Sequence, residues 1–287
     1  MNRPNIETFF HDDTGTFTYV VWDAETKTGA VVDPVLDYDA AAAHRDTASA
    51  QKVVEFVRDR GIDIDWVLET HAHADHLTAA PFIKQELGGR IAIGEGIKTV
   101  QGRFRDIFNF GDSLAVDGSQ FDHLFADDET FRIGTLETRV IPTPGHTSDS
   151  VTYLVGDAAF VGDSLFMPDA GTARCDFPGG DARVLWQSTR RLFELPDDTR
   201  LFMCHDYGPG GREVRNETTV AEQKRHNIHV ALDKTVEEFV SMRRQRDASL
   251  GMPALILPAV QINVRAGNAP DPERNGVSYL KIPLDQF

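Results

Sequence analysis

The sequence predicts an α/β protein, an αββα sandwich in which two mixed β-sheets pack face to face and helices cover the outer faces. Three observations point there. Short apolar segments of strand character recur in both halves of the chain, and segments with helical spacing lie between and after them. The 287 residues show no internal repeat or low-complexity block, which suits one large domain with a sizeable core. The expected organisation is a single domain over residues 1–254, with 255–287 a C-terminal extension packed on it.

Thr16–Trp22 alternates like a strand, and Gly29–Asp33 reads as its hairpin partner. Thr47–Arg60 places Val53, Val54, Phe56 and Val57 at helical spacing and stops at Gly61, a helix-ending residue. Trp66–Glu69 is a short apolar strand leading into Thr70-His71. Asp75–Leu87 reads as a helix closed by Gly88-Gly89, and Arg90–Ile93 as a further strand. In the second half, Phe131–Ile133, Glu137–Ile141, Val151–Val155 and Ala158–Val161 are strands. Ala182–Phe193 is a helix, Leu201–Cys204 a strand, and Glu217–Arg244 one long or two consecutive helices. The tail carries an apolar stretch, Leu255–Val260, and a Gly-, Pro- and Asn-rich loop over 267–276.

Twenty-nine Lys and Arg against 45 Asp and Glu give a net charge of −16. Such a surface repels nucleic-acid phosphates and anionic lipid, so neither is an expected partner. The basic runs 243–246 and 224–226 are short and read as solvated helix faces. No run of 18 apolar residues occurs, and the first residues have no apolar stretch, so a cytoplasmic location is expected. Cys175 and Cys204 are the only cysteines, which excludes a disulfide scaffold and fits a reducing compartment.

The segment Thr70-His71-Ala72-His73-Ala74-Asp75-His76 gathers three imidazoles and a carboxylate at a strand end. His71 and His73 are expected to point the same way along extended chain, with Asp75 and His76 converging from the first turn of a helix. Imidazole and carboxylate suit zinc or iron(II). The bland alternative is a set of surface histidines. His146 follows a strand and Gly145, Asp163 follows a strand and Gly162, and His205 ends a strand. Each alone reads as a loop residue. Together they place ligand-type side chains on one rim of a sandwich.

In this order, the H-x-H-x-D-H, G-H-T, G-D-S and H-D-Y elements resemble the metallo-β-lactamase superfamily over roughly residues 17–229. The resemblance implies the αββα metallo-β-lactamase fold. It also implies a potential two-metal site, with His71, His73 and His146 on one metal, Asp75, His76 and His205 on the other, and Asp163 bridging. Residues 171–177 (GTARCDF) and His205-Asp206-Tyr207 are similar to the persulfide dioxygenases of the glyoxalase II-like branch. That resemblance implies one iron(II) per chain held by His71, His146 and Asp163, the catalytic set; zinc is possible in the purified protein. Such a face leaves positions for a persulfide sulfur and dioxygen side by side. His73, Asp75, His76 and His205 then form an outer shell or a second metal site.

The expected reaction oxidises glutathione persulfide to sulfite and glutathione, as in sulfide detoxification. Arg174 is the expected partner of a glutathione carboxylate, against a surface salt bridge, and Tyr207 supplies a hydroxyl to the peptide or packs in the core. Neither cysteine is assigned a catalytic role. The alternative reaction is thioester hydrolysis of the glyoxalase II (hydroxyacylglutathione hydrolase) type by two metals around a bridging hydroxide. Residues 99–113 and the tail after Leu255 are more elaborate than in shorter dioxygenases and resemble a bacterial β-lactamase-like subgroup. They are expected to reshape the pocket or to form a homodimer interface.

Overall fold

A computed structural model describes residues 3–286. Strands β1 (Asn5–His11), β2 (Thr16–Trp22) and β3 (Thr28–Val32) form an antiparallel meander. A hairpin of β4 (Val35–Asp39) and β5 (His44–Asp46) precedes helix α1 (Ala48–Arg60). Gly61 ends α1 in the left-handed region at φ 60°, as the sequence signal requires. Strand β6 (Asp63–Leu68) returns parallel to β3, and the two-residue β7 (Leu77–Thr78) pairs with β4. Then come α2 (Ala80–Leu87), β8 (Arg90–Gly94), α3 (Ile97–Ile107) and β9 (His123–Phe125). The first sheet has six strands in the order β1-β2-β3-β6-β8-β9.

The second sheet is also six-stranded and runs in sequence order. It comprises β10 (Thr130–Ile133), β11 (Leu136–Pro142), β12 (Val151–Val155) and β13 (Ala158–Phe160), then, after helix α4 (Ala182–Phe193), β14 (Arg200–Phe202) and β15 (Glu217–Thr219). Helices α5 (Val220–His226), α6 (Val236–Asp247) and α7 (Ile256–Asn263) complete the chain.

Side-chain alternation assembles the layers. Along β2, Phe17, Tyr19 and Val21 enter the core between the sheets, where Leu136, Val140, Tyr153 and Phe160 meet them. Val20 and Trp22 point the other way, into the core under α1, α2, α3 and α7. Ala159 and Leu201 likewise face outward, under α4 and α6. Strands buried on both faces lose the polar–apolar alternation of a solvated sheet, which is why they read as continuous apolar runs. No helix among the described residues is long and apolar enough to cross a membrane.

Several sequence-based boundaries are corrected. The helix expected from Asp75 starts only at Ala80, because Leu77 and Thr78 pair with Leu36 and Val35. Asp75 and His76 therefore lie in a loop, not on a helical first turn. Glu217–Thr219 is a strand, and two separate helices follow it. Arg243, read as part of a solvated face, is 1% exposed and pairs with Asp247 one turn on. Residues 99–113 and the tail pack on each other: Gln101 Nε2 donates to the Val264 carbonyl at 2.9 Å, and the Arg265 guanidinium lies 4.2 Å from the centre of the Phe110 ring.

Gly145 precedes His146 at φ 133°, and a Cβ there would run into the backbone of Leu185 in the first turn of α4. Gly145→Ala should therefore destabilise the fold by about 3 kcal/mol, through overpacking added to backbone strain. A urea midpoint matching that of the unsubstituted chain would show that α4 can back away.

Candidate metal centre

Strands β3 and β6 run parallel, and β11, β13 and β14 share a direction in the second sheet. Their carboxyl ends deliver Asp33, His71, His146, Asp163 and His205 to one rim. The sheets are tied together there: Phe17 N–H donates to the Cys204 carbonyl at 2.8 Å, and Val151 N–H to the Thr70 carbonyl at 2.9 Å.

All seven expected ligand residues converge. The ligand atoms of His71, His146 and Asp163 lie within 4.8 Å of one another, and so do those of His73, Asp75, His76 and His205. His73 thus stands with the second set, unlike the two-metal division, in which it joins His71 and His146. The rings form one cluster, with centroids 4.0 Å apart for His71–His73, 4.1 Å for His73–His76 and 5.1 Å for His71–His146.

Hydrogen-bond acceptors set the tautomers. Thr70 Oγ1 donates to Asp33 Oδ2 at 2.9 Å, so its lone pair accepts from His71 Nδ1 at 3.1 Å. His146 Nδ1 donates to the Arg174 carbonyl at 2.7 Å, and His73 Nε2 to Asp33 Oδ1 at 3.0 Å. The other nitrogen of each ring then carries a lone pair. His71 Nε2, His73 Nδ1, His76 Nε2 and Asp163 Oδ1 are buried with no hydrogen-bond partner. Buried polar atoms without partners are costly, and cations bound among them would satisfy them. The donor set fits a divalent transition metal.

Electrostatics keep His71 and His73 uncharged. Burial, then His73 and His146, hold His71 well below the usual imidazole range, so at neutral pH it is uncharged, with its one ring proton on Nδ1. Burial raises Asp163, while His205 and His146 oppose it. Burial also pushes Asp75 up, but His205 and His76 more than offset this and hold it well below its usual value. Burial lowers His205, yet Asp75 and Asp163 raise it overall; its Nε2 lies 3.2 Å from Asp75 and 3.4 Å from Asp163. Cys204 sits beneath the cluster, its thiol pushed well up by burial and so kept protonated.

A cavity of about 720 Å³ opens onto Asp75, His146 and Asp163 and is lined on its far side by the 250–255 segment. Arg174 and Tyr207 both line it. The Arg174 fork is closed on Asp176, at 2.6 and 2.7 Å, and on the Gly251 carbonyl at 2.6 Å, so a ligand carboxylate there competes with Asp176. Its guanidinium also lies 4.7 Å from the centre of the Phe177 ring, which packs edge-on against His146. Tyr207 is 62% exposed and stacks parallel to His205. Asp206 does not reach the metal ligands; it binds Arg212 and the Arg215 N–H.

Sequence reasoning missed Asp33, Asp149 and Arg246. Asp33 follows an apolar strand just as Asp163 does, so its signal was present. Asp149 Oδ2 accepts from the Ala72 N–H at 2.8 Å, within the metal-binding loop. Arg246 lines the cavity and, among the described residues, makes no ion pair. His229 braces the 171–172 turn, its Nδ1 accepting from the Thr172 N–H at 3.0 Å.

The family model for the metallo-beta-lactamase superfamily matches residues 11–205. The chain is 50% identical to a probable metallo-hydrolase of Burkholderia pseudomallei, over 98% of this chain and 99% of that one. It is 46% identical to glyoxylase B2 of Dictyostelium discoideum, over 99% and 98% of the two chains. It is 31% identical to the human mitochondrial persulfide dioxygenase ETHE1, over 88% and 84%. It spans 66% of the length of the β-lactamase hydrolase-like proteins of Xylella fastidiosa that it also matches. Among solved structures, ETHE1 from Myxococcus xanthus superposes with a TM-score of 0.74 at 31% identity, covering 92% of this chain and 100% of that one.

Burial, then the positive charges of Arg243 and Arg246, push His229 down to about 4 from the ordinary 6.5. The unfolded chain takes up this proton first, so the stability His229 contributes is present above pH 6.5 and lost as the pH falls toward 4. His229→Gln should lose less stability between pH 7 and pH 5 than the unsubstituted chain in urea titrations, and an equal loss would contradict this assignment.

Proposed function

This chain belongs to the metallo-β-lactamase superfamily of metal-dependent enzymes, and within it we propose that it is a persulfide dioxygenase using one iron(II) per chain. The observation that carries this reading is the triad His71, His146 and Asp163, two imidazoles and one carboxylate whose ligand atoms lie within 4.8 Å of one another. Two-histidine, one-carboxylate faces with open positions are the ligand chemistry of non-haem iron oxygenases. The likeness to ETHE1 in sequence and fold supports it.

Iron(II) would be held by His71 Nε2, His146 Nε2 and an Asp163 oxygen, and would supply a redox centre for the oxidation of a persulfide by dioxygen. The protein's part is positioning. Asp33 acts through Thr70 to fix His71, and the Arg174 carbonyl fixes His146. Phe166, Phe177 and Leu255 line an apolar wall of the cavity and exclude bulk water. Arg246 meets a carboxylate of glutathione, with Arg174 and Tyr207 at the same cavity. The sulfur–sulfur bond of glutathione persulfide breaks, and the terminal sulfur is oxidised as dioxygen is reduced. Glutathione, sulfite and two protons form, with one water giving the third sulfite oxygen.

Thioester hydrolysis of the glyoxalase II type is the second reading, favoured by the glyoxylase B2 relative and by the second ligand group. Oxygen uptake by anaerobically iron-loaded protein given glutathione persulfide separates the two. One iron per chain with uptake and sulfite formation is expected; no uptake by the one-iron protein, with S-lactoylglutathione cleaved by a two-zinc form, would overturn the proposal. His71→Ala should abolish both iron and turnover, whereas His205→Ala should keep the iron. Arg246→Ala should raise KM for glutathione persulfide about tenfold with little change in kcat, the loss of one charge-assisted contact. An unchanged KM would exclude Arg246 from the substrate site.

A further inference from the structure

Helix α7 lies outside the family-matched region, yet it reaches the metal centre. Ile256, Ala259, Val260 and Ile262 anchor it in the core under the first sheet. At its last position, Asn263 is 4% exposed and its carboxamide is fully used. Nδ2 donates to the His73 carbonyl and to the His76 carbonyl, both at 2.8 Å, and Oδ1 accepts from the Thr78 N–H at 3.0 Å. Three residues of one loop are thus held by one side chain. Just beyond, Gly267 packs so closely on Thr78 and Pro81 that a Cβ would collide with the proline ring.

We infer that Asn263 is a positioning residue of the metal centre, setting from the C-terminal segment the backbone of the loop that carries His73, Asp75 and His76. His73 and His76 are each held at the backbone carbonyl and left without a hydrogen-bond partner at one ring nitrogen, His73 Nδ1 and His76 Nε2. The loop has no helical or sheet hydrogen bonds of its own between Thr70 and Leu77 to hold that geometry. Asp33 pins the Thr70 N–H, Asp149 the Ala72 N–H, and Asn263 the His73 and His76 carbonyls and the Thr78 N–H. A backbone carbonyl needs a donor here, and an amide side chain supplies two donors and an acceptor in one plane. The inference rests on the site being a metal centre and is independent of which reaction it runs.

The test reads metal binding, not turnover. Cobalt(II) affinity, by competition with a chelator, and the cobalt visible spectrum are measured for the full chain and three variants. Asn263→Leu removes all three bonds, and Asn263→Asp keeps the shape and the acceptor but sets a carboxylate against two carbonyls. Gln261→Leu is the control: on the same helix, Gln261 makes three comparable bonds, to Leu257 and Lys281, and none to the loop. Both Asn263 variants should bind cobalt about tenfold more weakly, with an altered spectrum, as expected when an outer support of metal ligands is lost. Gln261→Leu should bind it normally even with a similar fall in Tm. Normal cobalt binding by a folded Asn263 variant, or equal weakening by Gln261→Leu, would overturn the inference. If Asn263→Leu does not fold, the isosteric Asn263→Asp decides.

Discussion

The metal centre depends on one buried carboxylate, that of Asp33. It accepts from the Thr70 N–H, the Thr70 hydroxyl and His73 Nε2, and so fixes both the loop entry and the tautomers of two histidines. Its backbone is held as firmly, by the Leu68 carbonyl and the Thr18 hydroxyl, in a left-handed conformation at φ 48° that a non-glycine residue adopts only when its surroundings impose it. Burial raises its pKa, and the Thr70 bond and the nearby imidazoles counter this. A charge so placed is stabilised only with every partner in position, which makes it an effective device for ordering a ligand set.

Around that anchor the site is assembled from both sheets, so its geometry is a property of the whole sandwich. The apolar layer between the sheets brings the ends of β6, β11, β13 and β14 together, and cross-sheet backbone bonds lock the rim. The C-terminal helices add a second level of support. On α6, Arg243 donates to the Thr172 carbonyl at 3.0 Å, and Asp247 accepts from the Cys175 N–H at 2.9 Å. These bonds flank Arg174, whose carbonyl orients His146. Helix α7 does the corresponding service for the His73–Thr78 loop. Within 255–287, read from sequence as an extension packed on the domain, Ile256, Ala259, Val260 and Ile262 enter the core under the first sheet and Leu255 lines the cavity.

The side chains that gather at the centre were legible in the sequence because metal chemistry favours particular residue types, and because residues beyond short apolar strands must emerge at a sheet end. The strands themselves were legible from apolar runs, and α1 and α4 from spacing and caps, with Asp181 accepting from two N–H groups at the start of α4. Strands β1 and β4 escaped because their largely half-buried residues form no apolar run, and the short β5, β7 and β9 because two or three residues carry almost no periodicity. The helix expected from Asp75 was misplaced because Leu77 and Thr78 also suit a helical face, and only pairing with β4 decides otherwise.

What the sequence determined by itself was therefore the architecture and the imidazole and carboxylate side chains gathered at the strand ends. The tertiary structure alone decided which of these side chains come within reach of one another: Asp163 stands with His71 and His146 and also with Cys204 and His205. It alone decided that the Arg174 fork closes on Asp176, that Arg243 is buried, and that Asn263, with no motif around it, grips the metal-binding loop. Hydrogen bonds between residues 187 to 190 positions apart leave no trace in local pattern, since only the packed layers bring their partners within reach.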